Sequence, residues 1–383
     1  MGADAIRDQL VTWRRFLHRR PELGLEEHET SAFLQKTLTE LGIEIHTGYA
    51  GTGVVGVLRC GRPDAGAVLL RADMDGLPVQ EVDGRDYGSE IPQRMHACGH
   101  DGHMAMLLGA ATQLKDRDDL PRDVLLCFQP GEEGFGGAEK MIAGGVLDLA
   151  DVQAVYGLHL WSQFDVGTVQ LRPGPAMAAQ DEMRARFIGR GGHGALPHNT
   201  IDPIVAASQA VVTLQQIVSR NIDPLEAAVI TIGAIRGGEA ANVIPDFAEI
   251  EATMRAFDGG VRNTIRERAE AVCRGVATAT GCELDYELLP GYPPVVNNAD
   301  AVAKARRVAI EAFGESAVIE HAPMAAAEDF SYFLNERPGA FIFIGARNQE
   351  RGITAAHHSP NFDIDEAALP IGTELLTKIA LAP

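Results

Sequence analysis

Val124-Leu-Leu-Cys-Phe128 runs directly into Gln129-Pro-Gly-Glu-Glu-Gly134, and this stretch decides the fold class. Five apolar residues without polar alternation read as a strand buried on both faces, and Pro130 with Gly131 stops it. The adjacent carboxylates of Glu132 and Glu133 repel one another at that strand end unless a cation or a shared proton offsets the repulsion. One can bind a metal while its neighbour moves protons; the plainer alternative is a solvated acidic turn. Working outward, the same design repeats. Val54 to Leu58, Ala67 to Leu70 and Ala154 to Leu158 are short apolar runs, each followed by a turn containing Gly, Pro or Asp. Helical spacing fills the gaps: Ile6, Leu10, Trp13 and Leu17 share one face, Phe33, Leu34, Leu38 and Leu41 another before the stop at Gly42, and Met104 to Leu114 forms a third helix. Strands alternating with helices predict a layered α/β catalytic domain around a mixed central sheet, in which functional residues gather beyond strand ends.

A chain of 383 residues exceeds the ~250–300 residues at which single cores stop growing, so two domains are expected. The pattern changes near residue 180. A strand from Met183 to Ile188, a helix from about Pro203 to Val218, strands Ala227 to Ile235 and Phe247 to Phe257, and a helix from about Arg262 to Ala279 give a β-α-β-β-α order. That order suits an inserted α+β lid domain over 182–294, flanked by the two parts of the catalytic domain, 1–181 and 295–383. After Pro294 a helix at Ala301 to Phe313, a buried strand at Phe341 to Ile344 and a closing helix from Asp365 restore the α/β character.

The formal net charge of -20 repels phosphate backbones and anionic bilayers, which argues against nucleic-acid and membrane partners. Asp4, Arg7 and Asp8 interrupt any apolar leader, and no run reaches the ~18 apolar residues of a spanning helix. Five irregularly spaced cysteines form no disulfide framework and suit the cytoplasm.

Histidines carry the next signal. Eight of the twelve gather in four places: His96, His100 and His103; His159; His193 and His198; His357 and His358. A lone histidine is ordinarily a hydrogen-bonded structural residue. Met95-His-Ala-Cys-Gly-His-Asp-Gly-His103 is different, because Cys98 and His100 flank a glycine that lets both point into one site. A thiolate and a neutral imidazole are good ligands for a borderline-soft divalent ion. The competing roles for Cys98 are an inert buried thiol or a nucleophile, the latter without an accompanying oxyanion-hole signature. Gly51-Thr-Gly-Val-Val-Gly56 matches a dinucleotide fingerprint letter for letter. It enters a strand instead of opening a helix, so it offers no phosphate site and no support for an oxidoreductase.

These pieces together resemble the aminoacylase/carboxypeptidase-like family of dinuclear metallohydrolases, peptidase family M20, in its hippurate hydrolase and auxin-conjugate hydrolase branch. The matching stretches are Arg71-Ala-Asp-Met-Asp-Gly-Leu-Pro78, Met95 to Asp101, Gln129 to Gly134, Gly157-Leu-His159, Gly189 to His198, Ala241-Asn-Val-Ile-Pro245, Ala327-Glu-Asp-Phe330 and His358-Ser-Pro-Asn-Phe-Asp363. The resemblance implies that Cys98, His100, Glu133, His159 and His358 bind two divalent ions (Zn, Mn, Co or Ni). Cys98 would bridge, with Glu133 and His358 at one ion and His100 and His159 at the other. It implies Glu132 as general base, His193 of the lid as a donor to the substrate, and Asn242 and Arg255 as grips on the substrate carboxylate. Gly76 stands where alanine is common, Phe135 lies in a loop usually richer in glycine, and His358 is preferred to His357 because it directly precedes Ser359-Pro360. Position alone suggests Asp101 and Asp73 as partners that orient the ligand imidazoles.

The implied reaction is hydrolysis of small N-acyl amino acids by metal-activated water, worth roughly 10²–10⁴-fold from the general base alone. A dipeptidase or carboxypeptidase with the same site is the nearest alternative, and a non-catalytic binding protein the more distant one. A homodimer or larger homo-oligomer through the lid is the implied assembly.

Overall fold

The computed structural model describes residues 3–82 and 84–383. In chain order the main elements are α1 (Arg7–His18), α2 (His28–Glu40), β1 (Glu44–Tyr49), β2 (Gly53–Leu58), β3 (Ala67–Asp73), α3 (His100–Leu114), β4 (Asp123–Gln129), α4 (Gly137–Ala143), β5 (Val152–Asp165), β6 (Val169–Gln170) and β7 (Gly174–Met177). They continue with β8 (Ala179–Ile188), β9 (Gly192–His193), α5 (Pro203–Asn221), β10 (Ala228–Gly237), β11 (Val243–Ile244), β12 (Phe247–Ala256), α6 (Gly259–Thr280) and β13 (Glu283–Pro290). The chain closes with β14 (Val295–Asn297), α7 (Ala299–Phe313), β15 (Val318–Ile319), α8 (Ser331–Glu336), β16 (Gly339–Arg347) and α9 (Ala368–Leu381).

Two compact units emerge. The first comprises residues 1–174, 296–322 and 329–383, the second 175–295 and 323–328. The first is built on an eight-stranded mixed sheet in the order β1-β2-β4-β3-β5-β16-β6-β15. Strands β4, β3, β5 and β16 run parallel at its centre, while β1, β2 and the β2/β4 pair are antiparallel. The apolar runs are continuous because β2 and β3 are buried along their whole length. The Gly51 to Gly56 fingerprint is a hairpin turn leading into β2, with Gly51 at φ +93. It enters a strand and opens no α-helix.

Helix α3 begins at His100, four residues earlier than the apolar spacing predicts, with Gly99 before it at φ +94. It is buried nearly all round, so its first turn, which carries His100 and His103, shows no amphipathic stripe in the sequence. The carboxyl ends of the parallel strands and the start of α3 lie on the same edge of the sheet, the place where α/β folds put their chemistry.

The second unit has its own core, with Met183, Phe187, Leu214, Ile250 and Ile265 among its members. Its four-stranded antiparallel sheet has the order β10-β12-β8-β13. Strands β8 and β12 alternate between buried and more exposed residues, as expected for a sheet covered on one face. Strand β13 is absent from the β-α-β-β-α order read from sequence. Its Glu283, Asp285 and Glu287 interleave with Leu284, Tyr286 and Leu288, so its apolar content is too low to stand out until pairing with β8 orders it.

Candidate metal centre

Four neighbouring elements bring ligand-type side chains to one edge of the first unit. Asp75 lies just past β3, Glu132 and Glu133 just past β4, His159 within β5, and Cys98 and His100 around the start of α3. His358 arrives from the loop after β16. Its backbone takes the left-handed region at φ +63, and its N–H donates to the Ala97 carbonyl at 2.8 Å. That bond ties the last histidine to the segment carrying Cys98.

The donor atoms form two overlapping triads. Cys98, His100 and His159 lie within 4.8 Å of one another, as do Cys98, Glu133 and His358. Cys98 belongs to both. Its Sγ is 3.5 Å from His159 Nε2, and Glu133 Oε1 is 3.3 Å from His358 Nε2. His100, Glu132 and Glu133 make a further close group. His159 Nδ1 donates to the Leu160 carbonyl at 2.7 Å and His100 Nδ1 to the Asp75 carbonyl at 2.8 Å, which leaves each Nε2 facing the cluster.

The electrostatics are those of an anionic pocket. Burial, reinforced by His103 and His357, holds His159 well below its ordinary value, so it is a neutral ligand-ready imidazole. Burial alone would depress His100 too, but Asp73, Asp75 and Glu133 outweigh it and lift it to about 10. Burial, then Glu133, Glu132 and Asp73, push the Cys98 thiol well above its usual range. Divalent cations fit this arrangement. His100 Nε2 is buried without a hydrogen-bond partner, 3.8 Å from Asp73 Oδ2 and 3.9 Å from Glu133 Oε1. Mixed S, N and O donors around excess negative charge suit a borderline-soft ion.

His357 and His358 have different surroundings. His357 is engaged on both ring nitrogens, with Nε2 donating to the Leu160 carbonyl at 3.0 Å and Nδ1 accepting from the Ser162 hydroxyl at 3.0 Å. Its ring also lies 4.5 Å from that of Trp161. His358 is the one that faces Glu133.

Asp101 and Asp73 each hold an imidazole, that of His18 and that of His103 respectively. Asp101 Oδ2 accepts from Arg14 Nε and His18 Nδ1, both at 2.8 Å, and therefore locks α1 to α3. Asp73 accepts from His103 Nδ1 at 2.5 Å and from Arg71, and His103 Nε2 in turn accepts from the Leu160 N–H at 2.8 Å. The sequence reading missed Asp75, whose carbonyl holds His100. Its carboxylate receives the N–H groups of Glu132 (3.1 Å) and Glu133 (3.0 Å). The available signal was a second carboxylate just past the strand end in Arg71-Ala-Asp-Met-Asp75.

His193, Asn242 and Arg255 belong to the second unit. His193 is exposed in β9 and pairs with Val243 of β11, and the Gly194 N–H donates to the Asn242 carbonyl at 2.8 Å, so His193 and Asn242 are neighbours. Arg255 does not join them. It sits at the far end of β12, eight residues beyond Phe247, or ~26 Å along an extended strand. There its guanidinium donates to Thr253 Oγ1 at 2.7 Å.

Known proteins resemble this chain over most of its length. Residues 69–382 match the family described as Peptidase family M20/M25/M40. The chain is 44% identical over 370 residues to the N-acetyl-L-cysteine deacetylase of Bacillus subtilis (strain 168), covering 96% of this chain and 86% of that protein. It is 41% identical over 378 residues to IAA-amino acid hydrolase ILR1-like 4 of Arabidopsis thaliana, covering 97% and 85%. The crystal structure of the Bacillus subtilis YXEP protein, described as a dinuclear metal binding peptidase from the M20 family, superposes with a TM-score of 0.85 at 33% identity, covering 99% of this chain and 98% of that one.

Proposed function

The chain belongs to peptidase family M20/M25/M40, and from that premise we propose that it is a metal-dependent amidohydrolase that splits the amide bond of N-acyl amino acids. The observation that carries this reading is the pair of donor triads sharing Cys98. In it Cys98 would serve both ions, with Glu133 and His358 completing one set of ligands and His100 and His159 the other. Zn, Mn, Co and Ni are the candidate ions. Two divalent ions held there would supply a Lewis acid and lower the pKa of water toward ~7.

The chain's own groups do the rest. Glu132, held by its backbone on Asp75, takes a proton from water as the water oxygen bonds to the acyl carbon. It returns that proton to the nitrogen as the C–N bond breaks, giving a carboxylic acid and the free amine of the amino acid, and the acid's proton then passes to that amine. His193 donates to the carbonyl oxygen as negative charge develops on it. Asn242, beside His193, receives the substrate carboxylate, and Arg255 of β12 is the second grip assigned to it. A homodimer through β10, an edge strand with Val229 and Ile235 exposed, fits the second unit. A reducing cytoplasmic setting suits five cysteines that are all free thiols.

A screen of N-acetyl and N-benzoyl amino acids against free dipeptides, each with Zn²⁺, Mn²⁺, Co²⁺ or Ni²⁺ and read by amine release, tests this. Turnover of the acylated substrates is expected. Cleavage confined to free dipeptides would make the chain a dipeptidase, and no release in any arm would overturn the hydrolase reading.

A further inference from the structure

Three consecutive backbone N–H groups precede or belong to the paired glutamates, and two buried carboxylates hold all three. Asp75 takes those of Glu132 and Glu133. The third, of Gly131, donates to Oε1 of Glu27 at 2.9 Å. Glu27 lies just before α2, more than a hundred residues away in sequence, and is fully buried. Its Oε1 also accepts from the Leu25 N–H at 3.0 Å, and its Oε2 from the Thr52 hydroxyl at 2.6 Å. All three donors are neutral.

The two segments interlock sterically as well. Leu25 adopts a left-handed backbone at φ +65, and its side chain covers Gly131, where a Cβ would lie 2.9 Å from Leu25 Cδ2. Phe135 covers Gly24 in the opposite sense, 2.3 Å from where a Cβ would stand. Gly131 itself is at φ +61. The loop therefore has its first amide fixed from one side by Glu27 and its next two from the other by Asp75. A buried N–H without an acceptor is costly, so loss of the Glu27 oxygen would let the backbone at Gly131 turn. Any such turn is passed directly to the side chains of Glu132 and Glu133.

We propose that Glu27 is a positioning residue that sets the backbone entering the Glu132–Glu133 pair. This rests on the roles assigned to those two glutamates above. Outer-shell partners of this kind are worth about 10–100-fold in activity or metal affinity when removed.

The test uses the full-length, metal-loaded protein and the best N-acyl amino acid from the screen. Glu27→Ala is expected to lower kcat by about 10–100-fold with KM little changed. Glu27→Gln should recover most of that loss, because its amide oxygen accepts from the same two N–H groups. Glu27→Asp keeps the charge but falls one methylene short of Gly131, so it should show an intermediate loss, and it replaces the alanine variant if that fails to fold. Calorimetric titration of Zn²⁺ into the metal-stripped variants should show weakened binding in the same order. That arm reads positioning even if the wild type splits no N-acyl amino acid, an outcome that would sink the proposed reaction alone. A folded alanine or aspartate variant with wild-type kcat and Zn²⁺ affinity, altered only in melting temperature, would overturn the proposal.

Discussion

Glu132 and Glu133 show how neighbouring residues of one type divide their work. Glu133 faces His358, while Glu132 shares its close group with His100 and Glu133. Glu132→Gln keeps the shape and removes the proton carrier, so kcat is expected to fall by roughly 10²–10⁴-fold. Elemental analysis should find its metal content unchanged, and normal turnover would remove Glu132 from the reaction. Cys98→Ala should behave differently: because Cys98 belongs to both triads, the metal-to-protein ratio and activity should drop together. The histidine pair separates in the same way. His358→Ala is expected to lose metal. His357→Ala should keep it and lose about 1–3 kcal/mol of stability, since Ser162 and Leu160 lose a buried partner. Thermal melts read beside metal content distinguish the two, and metal loss in the His357 variant would reverse the assignment.

Individual elements contribute through their ends and their pins. Helix α3 aims its N-terminus at the pocket, so its dipole favours the anions gathered around His100. In the second unit, α6 is pinned to β8 through Asp181, which is only 2% exposed. Arg262 Nε and Arg266 Nε donate to it at 2.9 and 2.8 Å. Burial alone would raise this carboxyl, but hydrogen bonds from Arg262 and Arg266 outweigh it and hold it below its ordinary value. A depressed folded-state value means that the unfolded chain takes up the proton more readily. The stabilisation is therefore complete above the ordinary carboxylate range near ~3.9 and is lost as pH falls through the lower folded value. At neutral pH, Asp181→Asn is expected to cost about 2–3 kcal/mol, below the cost for a wholly buried pair because both arginines keep part of their surface in water. The gap between wild type and variant should close in melts below about pH 3; a gap independent of pH would exclude the ion pairs as its source.

At the scale of the whole molecule, two separate cores imply two unfolding events. Ions that bind the folded first unit stabilise it by mass action, about 2.7 kcal/mol at a hundredfold excess over Kd. Chelation should therefore lower the melting transition of the first unit and leave that of the second, identified by its response to Asp181→Asn, in place. Equal shifts of both transitions in a calorimetric scan would contradict this. Among the described residues no helix is long and apolar enough to cross a membrane. The sequence by itself determined the central strands, most helices and the kinds of side chain that gather at the candidate centre. Apolar runs, helical spacing and the clustering of Cys98, His100, Glu132 and Glu133 are local properties of the chain. Folding decided what depends on residues distant in sequence meeting in space. It set His358 opposite Glu133, placed the Asp75 carbonyl on His100, and paired the charged β13. It also separated Arg255 from Asn242, because an extended strand carries residues a few ångströms apart with every step.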